Sequence, residues 1–271
     1  MNRGVMLKSM REVSGPTLII GAALMIVEAL LAWVLPTVQQ QMATSLARLP
    51  FTQTIIRALV GTDVGDIPGP DVFTAVPWVH PVTMALLWAH AAVVCTRLPA
   101  GEVDRGTIDV LLSLPVSRWR LYLSEGLVWF MSGVFLVVVA LIGNVIGGLE
   151  APPGTRPPPA RLPIAVVNVL ALYLAVGGLA WLCSALSSRR GRTIGIVVGI
   201  VLASFLLNFL AEFWLPAKRL SFLSVLSYHR PLVAFRTGDW PWRDLAVLGA
   251  TGLALWVGGG LAFARRDLAT A

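Results

Sequence analysis

The residues of this chain that could do chemistry are few and scattered. Three carboxylates, Glu28, Glu125 and Glu212, lie in or beside apolar stretches, but in different stretches and at different depths, which does not suit paired acid and base work. His80 and His90 share one stretch; on a helix they fall roughly 80° apart, and no cysteine or further carboxylate stands at metal-ligand spacing. They read as one interfacial and one buried, hydrogen-bonding histidine, with no metal site. Gly-x-Ser-x-Gly, His-Glu-x-x-His and paired cysteine ligands are missing, and so is the Gly-x-x-x-x-Gly-Lys-Ser/Thr loop that cradles nucleotide phosphates. Catalysis is therefore not expected of this chain, and any energy it uses must enter from outside.

The densest polar stretch is Leu98 to Tyr122, set between two long apolar segments. On a helical wheel Glu102, Arg105, Gly106, Asp109 and Ser113 fall within a sector of roughly 100°. Val103, Ile108, Val110, Leu111, Leu112 and Leu114 cover most of the remainder, and Pro115 closes the segment. The pattern predicts an amphipathic helix over about 100–114. It is too short and too charged to cross a bilayer and too apolar to lie free in water. Such a helix should lie under the membrane with its polar stripe towards a partner.

The elements that position it are membrane spans. The chain has 271 residues, of which 56% are apolar and 13% charged, with a mean hydropathy of +0.78; a soluble core needs far less apolar surface. The net charge of +7 reads as topology signal, since no basic helix or aromatic platform for nucleic acid stands outside the apolar runs. Spans are predicted at about 18–35, 76–96, 123–148, 164–186, 193–215 and 244–264, in a single transmembrane domain of 1–271, all helical. An interfacial helix over 1–16 precedes the first, with Pro16 allowing the turn into the bilayer. The run beginning at Leu18 lacks a small-residue cleavage site and reads as an uncleaved span.

Outside the spans, Met42, Leu46 and Leu49, then Phe51, Ile55 and Leu59, predict two short amphipathic helices. The run from Glu150 to Pro163 predicts a stiff polyproline-like loop, and Pro216 to Arg243 an interfacial or re-entrant piece. With both termini in the cytoplasm, the cytoplasmic segments carry about twice the density of Lys and Arg of the external ones. Trp33, Trp78, Trp214, Trp240 and Trp242 then fall at outer ends, as an interfacial belt should. Cys95 and Cys183 fall near cytoplasmic span ends, where a structural disulfide is not expected. Glu28 costs about 2.5 to 3.5 kcal/mol to place in a span and should face a partner helix or a wet cavity. Gly191, Gly195 and Gly199 recur one turn apart and allow close helix approach; Gly143 and Gly147 repeat the pattern more weakly.

The run from Ala100 to Arg118, AGEVDRGTIDVLLSLPVSR, resembles the signature region of the ABC-2 family of ABC transporter permeases. Phe263 to Leu268, FARRDL, and Leu49-Pro50 with the helix after it are similar to that family too. Ser124-Glu125 departs from it, since members often carry a Lys soon after the Pro-x-Ser-Arg turn. The resemblance implies a permease that dimerises, with itself or a related chain, among membrane lipids. A separate ATP-binding cassette subunit, which holds ATP and Mg, would bind the helix between spans two and three. Glu102, Arg105, Asp109 and Arg118 would form the coupling surface; Glu28, Asn208, Gly191, Gly195 and Gly199 would line the cavity or the dimer contact. Export across a prokaryotic plasma (inner) membrane is the activity implied. Two other readings of the residues stay open: an ion-coupled transporter with Glu28 or Glu212 as proton carrier, and a membrane-embedded anchor whose polar segment holds another cytosolic partner.

Overall fold

The structure is a computed structural model that describes residues 3–45, 70–151, 156 and 158–267. Among the described residues its regular structure is all helix, without strands, and it holds six helices long and apolar enough to cross a membrane. These spans run Arg3–Pro36, Asp71–Cys95, Arg118–Leu149, Pro159–Leu186, Arg190–Leu210 and Trp242–Arg265. Each predicted span has its counterpart. The proximal end of the bundle carries the start of span one, the 96–117 connection, the tight turn at 187–189 and the end of span six; the distal end carries the remaining connections.

Span one belongs to a helix that continues without interruption from Arg3 to Ser45, with Pro16 and Pro36 inside it. The turn predicted at Pro16 is absent, so no separate interfacial helix forms. Its inward face explains the continuity: Val5, Ser9, Val13, Thr17, Gly21, Leu24 and Glu28 recur at steps of three or four and are all buried, one unbroken stripe against the bundle. At 1.5 Å per residue the helix is about 65 Å long, roughly twice a hydrocarbon core, and so extends beyond it. The amphipathic helices expected from Leu46 to Leu59, and the Leu49-Pro50 motif, lie outside the described residues.

Small residues bring the spans together. A Cβ on Gly143 or Gly147 would run into the backbone of Met25 or Ala29, so spans one and three meet there at backbone distance. At four other glycines a large ring lies where the side chain would be: Trp256 on Gly126, Tyr173 on Gly133, Trp129 on Gly177 and Trp119 on Gly260. These rings join Trp181, whose ring centre lies 4.6 Å from that of Tyr122, in an aromatic core shared by spans three, four and six. Span four is its centre, with Leu172, Tyr173 and Trp181 almost fully buried.

Span two bends at His80. Pro77 and Pro81 remove two amide donors there, and His80 caps the lower half by accepting the Val82 N–H at 3.3 Å. Span five ends at Leu210, earlier than the predicted 215, and the chain continues in short helices at Leu215–Leu220, Val225–Tyr228 and Pro231–Thr237. In this distal segment Phe222 and Leu223 are exposed while Leu226 is buried. Part of the Pro-rich loop lies outside the described residues; its end, Pro159–Arg161, is one turn of 3-10 helix leading into span four.

Candidate functional site

The 96–117 connection is built differently from the predicted helix over 100–114. A five-residue turn at Arg97–Gly101 leads into Glu102–Asp104; the chain then breaks at Gly106 and resumes as a helix over Ile108–Leu112. Gly106 sits at φ +68°, in the left-handed region that other residues enter at a cost of about 1 to 2 kcal/mol. The cause of the break is Glu102. Its side chain points inward, with 5% exposure. It accepts from Arg105 Nη2 at 2.6 Å and from Thr107 Oγ1, and its carbonyl accepts the Thr107 N–H at 2.9 Å. A straight helix would carry Thr107 out of reach of Glu102.

The polar stripe read from the wheel is therefore divided. Glu102 faces into its own loop, Arg105 covers it and is half-exposed, and Asp109 lies on the outward helix with Val110, just before Leu114. Those two apolar side chains are 68% and 43% exposed. Arg118 stands apart from the group: its guanidinium donates to the carbonyls of Phe263 (3.3 Å) and Arg266 (2.6 Å), binding the start of span three to the end of span six.

The loop is fastened to the spans on every side. Ser184, at the end of span four, donates to the Leu98 carbonyl at 3.0 Å and accepts the Ala100 N–H at 3.2 Å. Arg190, at the start of span five, donates to the Val93 carbonyl at 2.9 Å, and its own N–H reaches Asp104 Oδ2 at 3.3 Å. Arg97 is buried between two carboxylates, 2.6 Å from Glu12 on the first helix and 3.5 Å from Glu125 on span three. Ser9 completes the knot by donating to Glu125 at 2.8 Å. Sequence reasoning missed Arg97, Ser184 and Arg190, which read as a topology charge, a span residue and a turn residue. The isolated carboxylate Glu125 was the one signal that a buried cation had to come near.

The other predicted residues separate into three places. Glu28 is fully buried and accepts from Thr83 Oγ1 at 2.9 Å and Asn144 Nδ2 at 3.1 Å. It joins spans one, two and three of its own chain and lines no cavity with Asn208. Gly191, Gly195 and Gly199 face open space: a Cβ on any of them would meet nothing within 4 Å. Asn208 lines a cleft of about 390 Å³ between spans two and five, with Met84, Trp88, Val201, Phe205 and His229 among its walls.

At the distal floor of that cleft His229 is buried, its Nε2 2.9 Å from the Trp78 carbonyl and its Nδ1 2.6 Å from the Asn168 side-chain amide. Burial pushes its pKa down to about 4, against the opposing pull of the Trp78 carbonyl. His90 is likewise hydrogen-bonded, at 2.9 Å to both Thr17 and Tyr173. Among the described residues no three His, Cys, Asp or Glu side chains gather as a metal site, and Cys95 and Cys183 are free thiols.

A six-span helical bundle with a clamped loop between spans two and three defines a multi-pass membrane protein. The profile of the ABC-2 family transporter proteins matches residues 35–238 of the chain. The chain belongs to that family and is a transmembrane permease component of an ABC transporter, the part distinct from the ATPase. Comparison with curated proteins and with solved structures gave no match.

Proposed function

We propose that the chain is one half of a dimeric permease, its proximal end in the cytoplasm of a prokaryotic cell, and that a separate ATP-binding cassette subunit drives export through it. ATP and Mg belong to that subunit. The observation that carries this reading is the loop over 96–117, which reaches spans one, three, four and five through Arg97, Ser184 and the contacts of Arg190 with Thr96 and Asp104. A push on such a loop moves helices, because packed elements shift as units rather than deforming continuously. Val110, Leu114 and Asp109 form the face that the ATPase touches. Glu102 and Arg105 act behind it, holding the loop in shape, and Arg118 transmits its movement to span six. The open glycines of span five support close approach of a second permease chain.

Charge at the outward face tests the docking role. With the partner ATPase co-expressed, Val110→Glu with Leu114→Glu should reduce its capture by the permease at least tenfold. Phe222→Glu, equally exposed at the distal end, should not. Full capture by the double variant would contradict the reading.

A further inference from the structure

The cleft between spans two and five is closed at both ends and open at its side. Arg190 joins the two spans at the proximal end through Val93 and Thr96. At the distal end Ser224 donates to the Ser204 carbonyl at 3.0 Å, and the His229 ring reaches Trp78. Between these two closures the spans diverge and leave about 390 Å³. A continuous membrane helix from a second copy needs a groove open along its whole length, which a slot closed at both ends does not offer. A small molecule that comes in sideways does fit it.

The lining says which molecule. Carbon dominates it, from Pro81, Met84, Trp88 and Ala89 on one side to Val197, Val201 and Phe205 on the other, and no Lys, Arg, Asp or Glu is among the residues that form it. The polar groups sit together at the distal end. His229 has both ring nitrogens engaged. One side of the Asn208 amide meets Ser227 Oγ at 3.1 Å, which leaves the other side for a ligand. A charged head would be desolvated here with no opposite charge to offset the loss. A hydroxyl or carbonyl would instead pair with the amide.

We infer that this cleft binds a neutral amphiphile, its apolar body along Trp88, Ala89 and Val201 and its uncharged hydrogen-bonding head at Asn208, admitted sideways from the lipid. That this molecule is the transported substrate rests on the permease reading above; its binding does not.

The test uses three probes of one length, bromododecanol, bromododecanoate and bromododecyltrimethylammonium, with uncharged bromododecane as a headless control. Each is titrated into the full chain in lipid discs, and the bromine quenching of Trp88 is taken as the difference between the wild type and Trp88→Phe. The alcohol should quench saturably, with both ions at least tenfold weaker. Asn208→Leu should weaken the alcohol about tenfold and leave bromododecane unchanged. Ala89 is exposed towards the cleft, so Ala89→Phe should fill it and weaken all four without disturbing the core. Equal quenching by all three heads, or indifference to both substitutions, would overturn the inference. So would oxidative cross-linking of Ala89→Cys to a second copy, which would place a protein chain in the cleft. Intact quenching after failed ATPase capture would remove the permease reading and leave the site; the converse pair of results would do the opposite.

Discussion

Replacing Arg97 by Met removes the cation from a buried site that keeps two carboxylates. Glu12 is well exposed and 2.6 Å away, so solvent takes over much of its charge and its loss costs little, about 0 to 1 kcal/mol. Glu125 is different: its side chain is only 10% exposed, and without Arg97 it keeps the hydrogen bond donated by Ser9 but no cation beside it. Leaving such a charge uncompensated costs about 3 to 5 kcal/mol. The single variant should therefore lose about 3 kcal/mol in an unfolding titration in mixed micelles. Adding Glu125→Gln removes the stranded charge, and the double variant should recover most of that loss because the two positions are in one network. Transport per ATP hydrolysed should still fall in the double variant, since the loop is no longer tied to spans one and three. A double variant as unstable as the sum of its singles would show that Arg97 and Glu125 do not act on each other, and the clamp would have to be abandoned.

Other perturbations separate further parts of the account. Gly106→Ala should cost about 1 kcal/mol from backbone strain alone, as nothing lies within 4 Å of the added Cβ, and Gly106→Asn should cost less; the same titration measures both. Gly147→Val should abolish the monodisperse elution of the detergent-solubilised chain by forcing span three off Ala29, whereas Gly195→Val should stay folded and monodisperse, since nothing in its own chain lies within 4 Å of the added Cβ. For His229 the folded pKa of about 4 lies below the usual value of 6.5, so the neutral ring stabilises the fold fully above pH 6.5 and this contribution is lost as the pH falls from 6.5 towards 4. At most about 3 kcal/mol is at stake, and His229→Gln should flatten the pH profile of unfolding in that window.

What could be read from the sequence was whatever depends on composition along the chain. Six runs of about twenty apolar residues fixed the span number, because bilayer thickness sets that length. The same logic missed Pro16: a proline costs a helix one bond and a kink, and the stripe from Val5 to Glu28 outweighs it. The site was legible as a place and not as a geometry. A helical wheel assumes regular backbone, and Glu102 breaks that assumption by bonding Arg105 and Thr107 across Gly106. Which glycine stripe packs within the chain was equally closed to sequence, since Gly143 and Gly195 look alike until their neighbours are known. Arg97 and Arg190 were counted only as positive charges beside the membrane; their roles lie in partners far away in the sequence.

The central claim is that the ATPase acts on the 96–117 loop at the face marked by Val110. A photo-crosslinking residue placed at Val110, in the permease co-expressed with its ATPase, tests it most directly, with Phe222 at the distal end as the control site. The account predicts a covalent adduct to the ATPase from position 110 and none from 222. Labelling at 110 no stronger than at 222 would contradict it.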